Sequence, residues 1–395
     1  MQSSNVGSVA PHPVSPATAV AGVSAVVRHG STRNTDEFQA VAELHRAIEQ
    51  ADTSLVLLFC SSKRNLGRLQ EAVAAEFACP VVGCTTAGEI DASGYAEGTI
   101  VGVSFSREAF TVYPTLIEPL HDFGAAAADQ LVQSLAPACD QNAGKQRFGL
   151  LLVDGLSLQE EQLVAHLHNA FGNLPIVGGS AGDDLAFAKT HVLSDGRFVS
   201  GGAVFCLFET ALPFRTFKTQ HFIPTAHKLV ITEAEPSARR VMEIDGMPAS
   251  EAYADALGMS VDKLDPRVFS ANPVILQMGG QCYVRSIQRA EPDGSLIFYC
   301  AIDTGLVLTI AKGMNLTENL QTSLTQLEQD VGPVALILGC DCILRRLEVA
   351  DNGDLEKIAN IVERYPLIGF STYGEQYNGI HVNQTLTGVA IGAPR

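Results

Sequence analysis

Three short segments of this chain bring hydroxyls and carboxylates onto glycine-rich turns: PVVGCTTAGEI at Pro80–Ile90, PIVGGSAGDDL at Pro175–Leu185 and PLIGFSTYGEQ at Pro366–Gln376. Such a turn at the end of a strand presents backbone N–H groups and side-chain oxygens to a small ligand, because open α/β sheets place their sites there. Thr85, Ser180 and Ser371, with the acids Glu89, Asp183 and Glu375, are the polar contacts a metabolite site would use. The same residues also suit a tight strand-to-loop geometry with no ligand at all. No segment reads GxxxxGK[ST], and GGSAGDD is not GxGxxG, so nucleotide binding lacks its signature. No HExxH pair is present, and no Cys/His pairing is readable from spacing, so the sequence predicts a binding protein rather than an enzyme.

Nine cysteines are scattered, mostly inside apolar runs such as LVLLFC and GAVFCLF, which is how reduced core thiols look. There is no CxxC pair for zinc or dithiol chemistry. Cys340-Asp341-Cys342 reads as a strand end. Cys79-Pro80 begins the first repeat, where Leu174 and Tyr365 precede the proline in the other copies, so its reading is structural.

Each turn follows a strand-like run and a helical stretch: LVLLFCSS then Asn65 to Phe77, GLLLVDGLS then Gln159 to Phe171, ALILGCDCI then Asp351 to Arg364. The spacing of the copies predicts a fourth near residue 270, where NPVILQMGGQCYVR (Asn272 to Arg285) keeps a proline, an apolar strand and two glycines but loses the hydroxyl and the acid. Degenerate copy and coincidence both stay open there; a real copy would give each half two units. After Ala211-Leu212-Pro213 come a strand at KLVITEAE, a strand at RRVMEIDG with a turn at Asp245-Gly246, and a helix from Pro248 to Leu257. The expected fold is mixed α/β, in two related halves of strand-helix-strand units with mixed sheets. The expected divisions are a tail at 1–20, a first domain at 21–215 and a second at 216–395.

A formal charge of −17 sets the chain against nucleic acid and anionic membrane surfaces. No run reaches 18 apolar residues, and Met1 to Val20 has no basic start or apolar stretch, so the expectation is a cytoplasmic protein.

Several motifs in order, PVVGCTTAGEI, GGSAGDDL with Gly201-Gly202-Ala203-Val204, KLVITEAE with EIDGMPASEAYADALG, and GFSTYGEQ with NQTLTGVAIG, resemble the FIST domain in its N- and C-terminal parts. The likeness covers nearly everything after residue 20. It implies a ligand-binding sensory module of bacterial signal transduction. The chain is similar to the stand-alone FIST proteins that sense nitric oxide through haem and regulate a partner histidine kinase, since it carries TQHFIPT ahead of KLVIT and YGEQYNGIHVNQT near its C-terminus. The resemblance therefore implies non-covalent haem b, nitric oxide as ligand, and a histidine kinase or phosphotransfer protein as partner, with a homodimer left open. A small metabolite such as an amino acid, bound without haem, is the alternative.

Haem needs a neutral imidazole on iron, an apolar slot, and cations for the propionates. Of ten histidines, His221 lies in an extended segment beside Phe217, Phe222 and Ile223, with Arg215, Lys218 and Lys228 near in sequence. His381 follows the third turn closely, with Asn383, Gln384 or Glu375 as possible partners of its second ring nitrogen. His221 and His381 are the two candidate iron ligands. His12, His29, His45, His121, His166, His168 and His191 read as tail, strand, helix or capping residues.

Overall fold

The three turns belong to three units of one design. The structure is a computed structural model that describes residues 26–140 and 144–394; the expected tail at 1–20, with His12, lies outside the described residues. The first unit runs β1 Val27–Thr32, α1 Glu37–Ile48, β2 Thr53–Ser61, α2 Leu66–Glu76, β3 Val81–Thr86, a hairpin of β4 Glu89–Asp91 and β5 Gly94–Ala96, and β6 Ile100–Ser106. The second repeats it as β7 Phe110–Ile117, α3 Ala125–Asp140, β8 Gln146–Val153, α4 Glu160–Phe171, β9 Ile176–Ser180, the hairpin β10 Val192–Ser194 and β11 Arg197–Val199, and β12 Ala203–Thr210.

The third unit opens with β13 Phe214–Thr219 and is then interrupted by residues 222–313. These hold β14 Phe222–Glu235, β15 Arg240–Ile244, the two-residue β16 Met247–Pro248, α5 Ala249–Ala256, α6 Pro266–Ala271, β17 Val274–Met278, β18 Gln281–Arg285, β19 Ile287–Ala290, β20 Leu296–Phe298 and β21 Val307–Gly313. The unit resumes with α7 Leu316–Val331, β22 Val334–Cys342, α8 Ile343–Asp351, α9 Leu355–Arg364, β23 Leu367–Thr372, the hairpin β24 Glu375–Tyr377 and β25 Ile380–Val382, and β26 Leu386–Gly392.

In each unit a helical crossover makes the two central strands parallel: β2 with β3, β8 with β9, β22 with β23. Those strands carry near-continuous apolar runs because both faces are covered. Asp36, Asn65 and Asn315 fix the starts of α1, α2 and α7, each side chain accepting from the backbone N–H three residues on.

The hairpins do not stay with their own units. β10 of the second unit pairs with β3 of the first, β24 of the third pairs with β9 of the second, and β4 of the first pairs with β23 of the third. This cyclic exchange completes three six-stranded sheets and locks the units together. The glycine shared by the three turn motifs has a plain cause: a Cβ at Gly83, Gly178 or Gly369 would collide with the carbonyl oxygen of Leu58, Leu151 or Gly339 on the neighbouring parallel strand.

The inner faces of the three sheets enclose one core, with Leu57, Phe59, Leu150, Leu152, Leu338 and Phe370 among its members, and Phe59 stacks on Phe370 at 4.5 Å. The outer faces are covered by α1 and α2, by α3 and α4, and by α7 and α9. The inserted residues fold as a separate antiparallel sheet under α5 and α6.

The segment Asn272 to Arg285 is not a fourth copy. It forms the antiparallel hairpin of β17 and β18, turning at Gly279 (φ +57°) and Gly280 (φ +76°), whereas a copy would need a parallel crossover. Eight cysteines among the described residues are free, six of them buried, and Cys340-Asp341-Cys342 ends β22.

Candidate functional site

The hairpin exchange brings the three turns together. Ala87 N donates to Ser371 O at 2.9 Å and Ser371 N to Gly88 O at 2.7 Å; Ser180 N donates to Gly374 O at 2.8 Å; Gly182 N donates to Thr85 O at 2.9 Å. Each turn thus bonds to both others, and the backbone groups expected to greet a ligand satisfy one another.

The turn acids are spent as well. Glu89 is fully buried and accepts from the Thr86 hydroxyl and from Thr99 through its N–H (3.0 Å) and hydroxyl (2.6 Å). Glu375 does the same with Thr372 and Thr385. Asp183 gathers the N–H groups of Phe187, Ala188 and Lys189 together with the Tyr373 hydroxyl. These carboxylates hold the closing strands and loops in place, so the three acids named as ligand contacts are structural. Burial pushes the Glu375 carboxyl up to about 8, with its hydroxyl donors opposing the rise.

One turn differs from the other two. Around the third, Ser371 Oγ, Gln376 Oε1, His381 Nε2 and Asn383 Oδ1 are buried and find no partner within the protein, and Arg285 Nε from the inserted sheet is in the same condition. The hairpin register sets Gln376 opposite His381, placing both side chains on one face. Gln376 donates through Nε2 to Ser180 Oγ (2.9 Å) and to His381 Nδ1 (3.3 Å), which leaves the proton of the neutral ring on Nε2. Burial lowers the imidazole to about 4, aided by Arg239 and Arg285 and opposed by Glu161. Arg285 Nη1 donates to His381 O at 3.0 Å. The cluster can therefore supply donors from Arg285 and His381, acceptors from two amides, and a hydroxyl.

Haem fits the residues as placed poorly. His221 is fully buried, with Nε2 2.9 Å from Glu348 Oε1 and Nδ1 3.4 Å from Arg345 Nη1, so both nitrogens are engaged. His381 has a free Nε2, but that edge lies against Gly374, whose Cβ, if present, would be 2.6 Å from Nε2. A macrocycle has no room there. Arg215 is exposed 3.7 Å from Asp330, Lys218 Nζ donates to Cys282 O and sits over Tyr283, and Lys228 is exposed on β14. The three cations do not converge. A cavity of about 640 Å³ is lined by His168, Arg215 and Phe214 rather than by either candidate histidine.

Of the expected partners for His381, Glu375 is taken by Thr385, and Gln384 reaches Ser286 and the Ser270 carbonyl. Gln376 and Arg285 were missed. The Asn378-Gly379 dipeptide, a hairpin signal, would have found the Gln376 pairing; nothing local marks Arg285.

Residues 54–247 match the FIST N domain and residues 249–378 match the FIST C domain. The chain belongs to the FIST family. FIST domains are sensory domains of signal transduction, and this FIST protein carries the N part from β2 of the first unit to β16 in the insertion and the C part from α5 to the end of β24 in the third unit. A search of curated proteins finds no match. No helix among the described residues is long and apolar enough to cross a membrane.

Proposed function

We propose that this FIST protein senses a small polar metabolite, of the amino-acid type, at the site framed by Ser371, Gln376, His381, Asn383 and Arg285. One observation carries the reading: five buried polar atoms on neighbouring segments lack partners. Each unsatisfied buried group costs about 1–3 kcal/mol, so a molecule that bonds to several of them is held strongly. A carboxylate suits Arg285 and, once β25 draws back from Gly374, the His381 Nε2–H; an ammonium suits the amide oxygens of Gln376 and Asn383. Binding rather than catalysis is favoured because the buried carboxylates are already bonded, and burial raises the thiols of Cys60, Cys84 and Cys340. The partner would be a signalling protein such as a histidine kinase or its phosphotransfer protein, reading a ligand-linked difference of about 1–3 kcal/mol.

Haem as a nitric oxide receptor is the second reading, favoured by the unpartnered Nε2 of a neutral His381. It requires β25 to draw back from Gly374.

Both readings are tested on the purified protein by thermal shift with individual amino acids and by haem titration followed at the Soret band. An amino acid at about 100 times its Kd stabilises by about 3 kcal/mol. The first reading expects that stabilisation, and expects it to vanish in His381→Ala and Arg285→Met. Stoichiometric haem uptake that moves with nitric oxide and collapses in His381→Ala or His221→Ala, with no response to amino acids, would promote the second.

A further inference from the structure

The inserted sheet stands apart from the three units in a way that bears on access to the site. Its main core, including Leu229, Ile231, Val241, Tyr253, Phe269 and Leu308, contains only inserted residues, and so does its smaller cluster of Phe222, Ile275, Val284 and Ala311. The chain enters and leaves it at one place. Phe222 at the start of β14 pairs with Gly313 at the end of β21, and Met314 N donates to His221 O at 2.8 Å.

Away from those paired connections, the contacts of the insertion with the units that bear on the site are polar. Arg239 Nη2 lies 2.7 Å from Glu160 Oε2 and 2.8 Å from Glu161 Oε2, at the start of α4. Glu161 Oε1 also accepts from Ala301 N. Ser286 Oγ donates to Gln384 Oε1 at 2.8 Å, and Arg285 reaches the His381 carbonyl. Arg239 itself sits in the left-handed region at φ +50°, a conformation that costs free energy and is kept only where surrounding bonds impose it. These contacts land on α4, on β25 and on the loop that follows it, beside and within the candidate site. His381, Gln376 and Asn383 are at most 1% exposed, so no ligand reaches them while the contacts hold.

We propose that the inserted sheet is a hinged lid over the ligand site, turning about the paired connections at 219–222 and 313–315 and latched by Arg239 on Glu160 and Glu161. This rests on the reading of the His381 cluster as the ligand site, and it makes the position of the lid the signal. A ligand bonded to both Arg285 and the hairpin ties the lid to the units and shifts the population toward the closed form.

Hydrogen exchange of the ligand-free full chain, followed by mass spectrometry in low urea, tests the lid by itself. The Ala301 amide, whose bond to Glu161 crosses the interface, should exchange on an isotherm below the stability of both the β2/β8 core and the β14/β21 core. Arg239→Met should raise that rate about tenfold or more and leave both cores unchanged. An Ala301 amide that exchanges only with global unfolding overturns the lid, as does an Arg239→Met effect confined to the neighbours of residue 239. Should Arg239→Met fail to fold, the wild-type isotherms alone decide. A lid that opens in a protein no small molecule stabilises would leave this inference standing and sink the ligand reading.

Discussion

Glu375 reaches ten residues along the chain to Thr385, accepting its N–H at 3.2 Å and its hydroxyl at 2.7 Å, as Glu89 reaches Thr99 in the first unit. The pair ties the third turn to the strand that closes its sheet, across the hairpin that has left for the neighbouring sheet. Replacing Thr385 by Val removes the hydroxyl donor and leaves Glu375 buried with one fewer bond. The expected loss is about 1–3 kcal/mol in urea unfolding, and Thr99→Val should lose a similar amount. A change below about 0.5 kcal/mol at both sites would show that the bonds are not stabilising.

The same carboxyl gives a pH dependence with a definite sign. Its folded pKa is raised to about 8, above the ordinary carboxylate value, so its contribution is fully present below about 4.5 and is lost as pH rises toward 8. His381, lowered to about 4, acts in the other window: the unfolded chain takes up a proton near 6.5, and stability falls as pH drops from there toward 4. The stability of Glu375→Gln relative to wild type should therefore rise between pH 5 and pH 8. His381→Gln should flatten the acid limb alone. Parallel pH profiles for wild type and Glu375→Gln would contradict the assignment.

The shared glycines predict a severe and specific failure. Gly178→Ala or Gly369→Ala drives a Cβ into a strand carbonyl that cannot move without breaking the parallel ladder, and each should cost about 3 kcal/mol or more or abolish folding. Gly67→Ala is the control. Gly67 lies within α2, the nearest atom to an added Cβ is 3.5 Å away, and the change should stabilise by about 0.5–1 kcal/mol.

Arg345 is wholly buried, with Nε 2.6 Å from Asp341 Oδ1, and Asp341 also accepts from the Tyr95 hydroxyl. Arg345→Met strips a buried carboxylate of its cation and removes a neighbour of His221. About 3–5 kcal/mol should be lost. Asp341→Asn combined with Arg345→Met should recover part of that, which a double-mutant cycle by chemical denaturation would read.

Legibility in the sequence followed the range of the interactions. Asn65 capping α2, the strand runs LVLLFC and GLLLV, and the Asp245-Gly246 turn are settled within a few residues, so periodicity and turn chemistry reveal them. His381 was legible as a candidate because it lies just beyond a motif. Its role was not, because Arg285 approaches from 96 positions away and Ser180 from 201 in the other direction.

The amino-acid sequence by itself determined the mixed α/β class, the three-fold recurrence of strand, helix, strand and glycine-rich turn, the reduced buried thiols and the FIST likeness. Only the tertiary structure decided that the hairpins exchange among units, that residues 222–313 are an insertion rather than a fourth copy, and that two turns are satisfied while the third is not. The reason is physical. Side-chain periodicity records whether a face is buried but not which strand buries it, and a polar atom is orphaned or bonded only by neighbours that the fold brings from elsewhere in the chain.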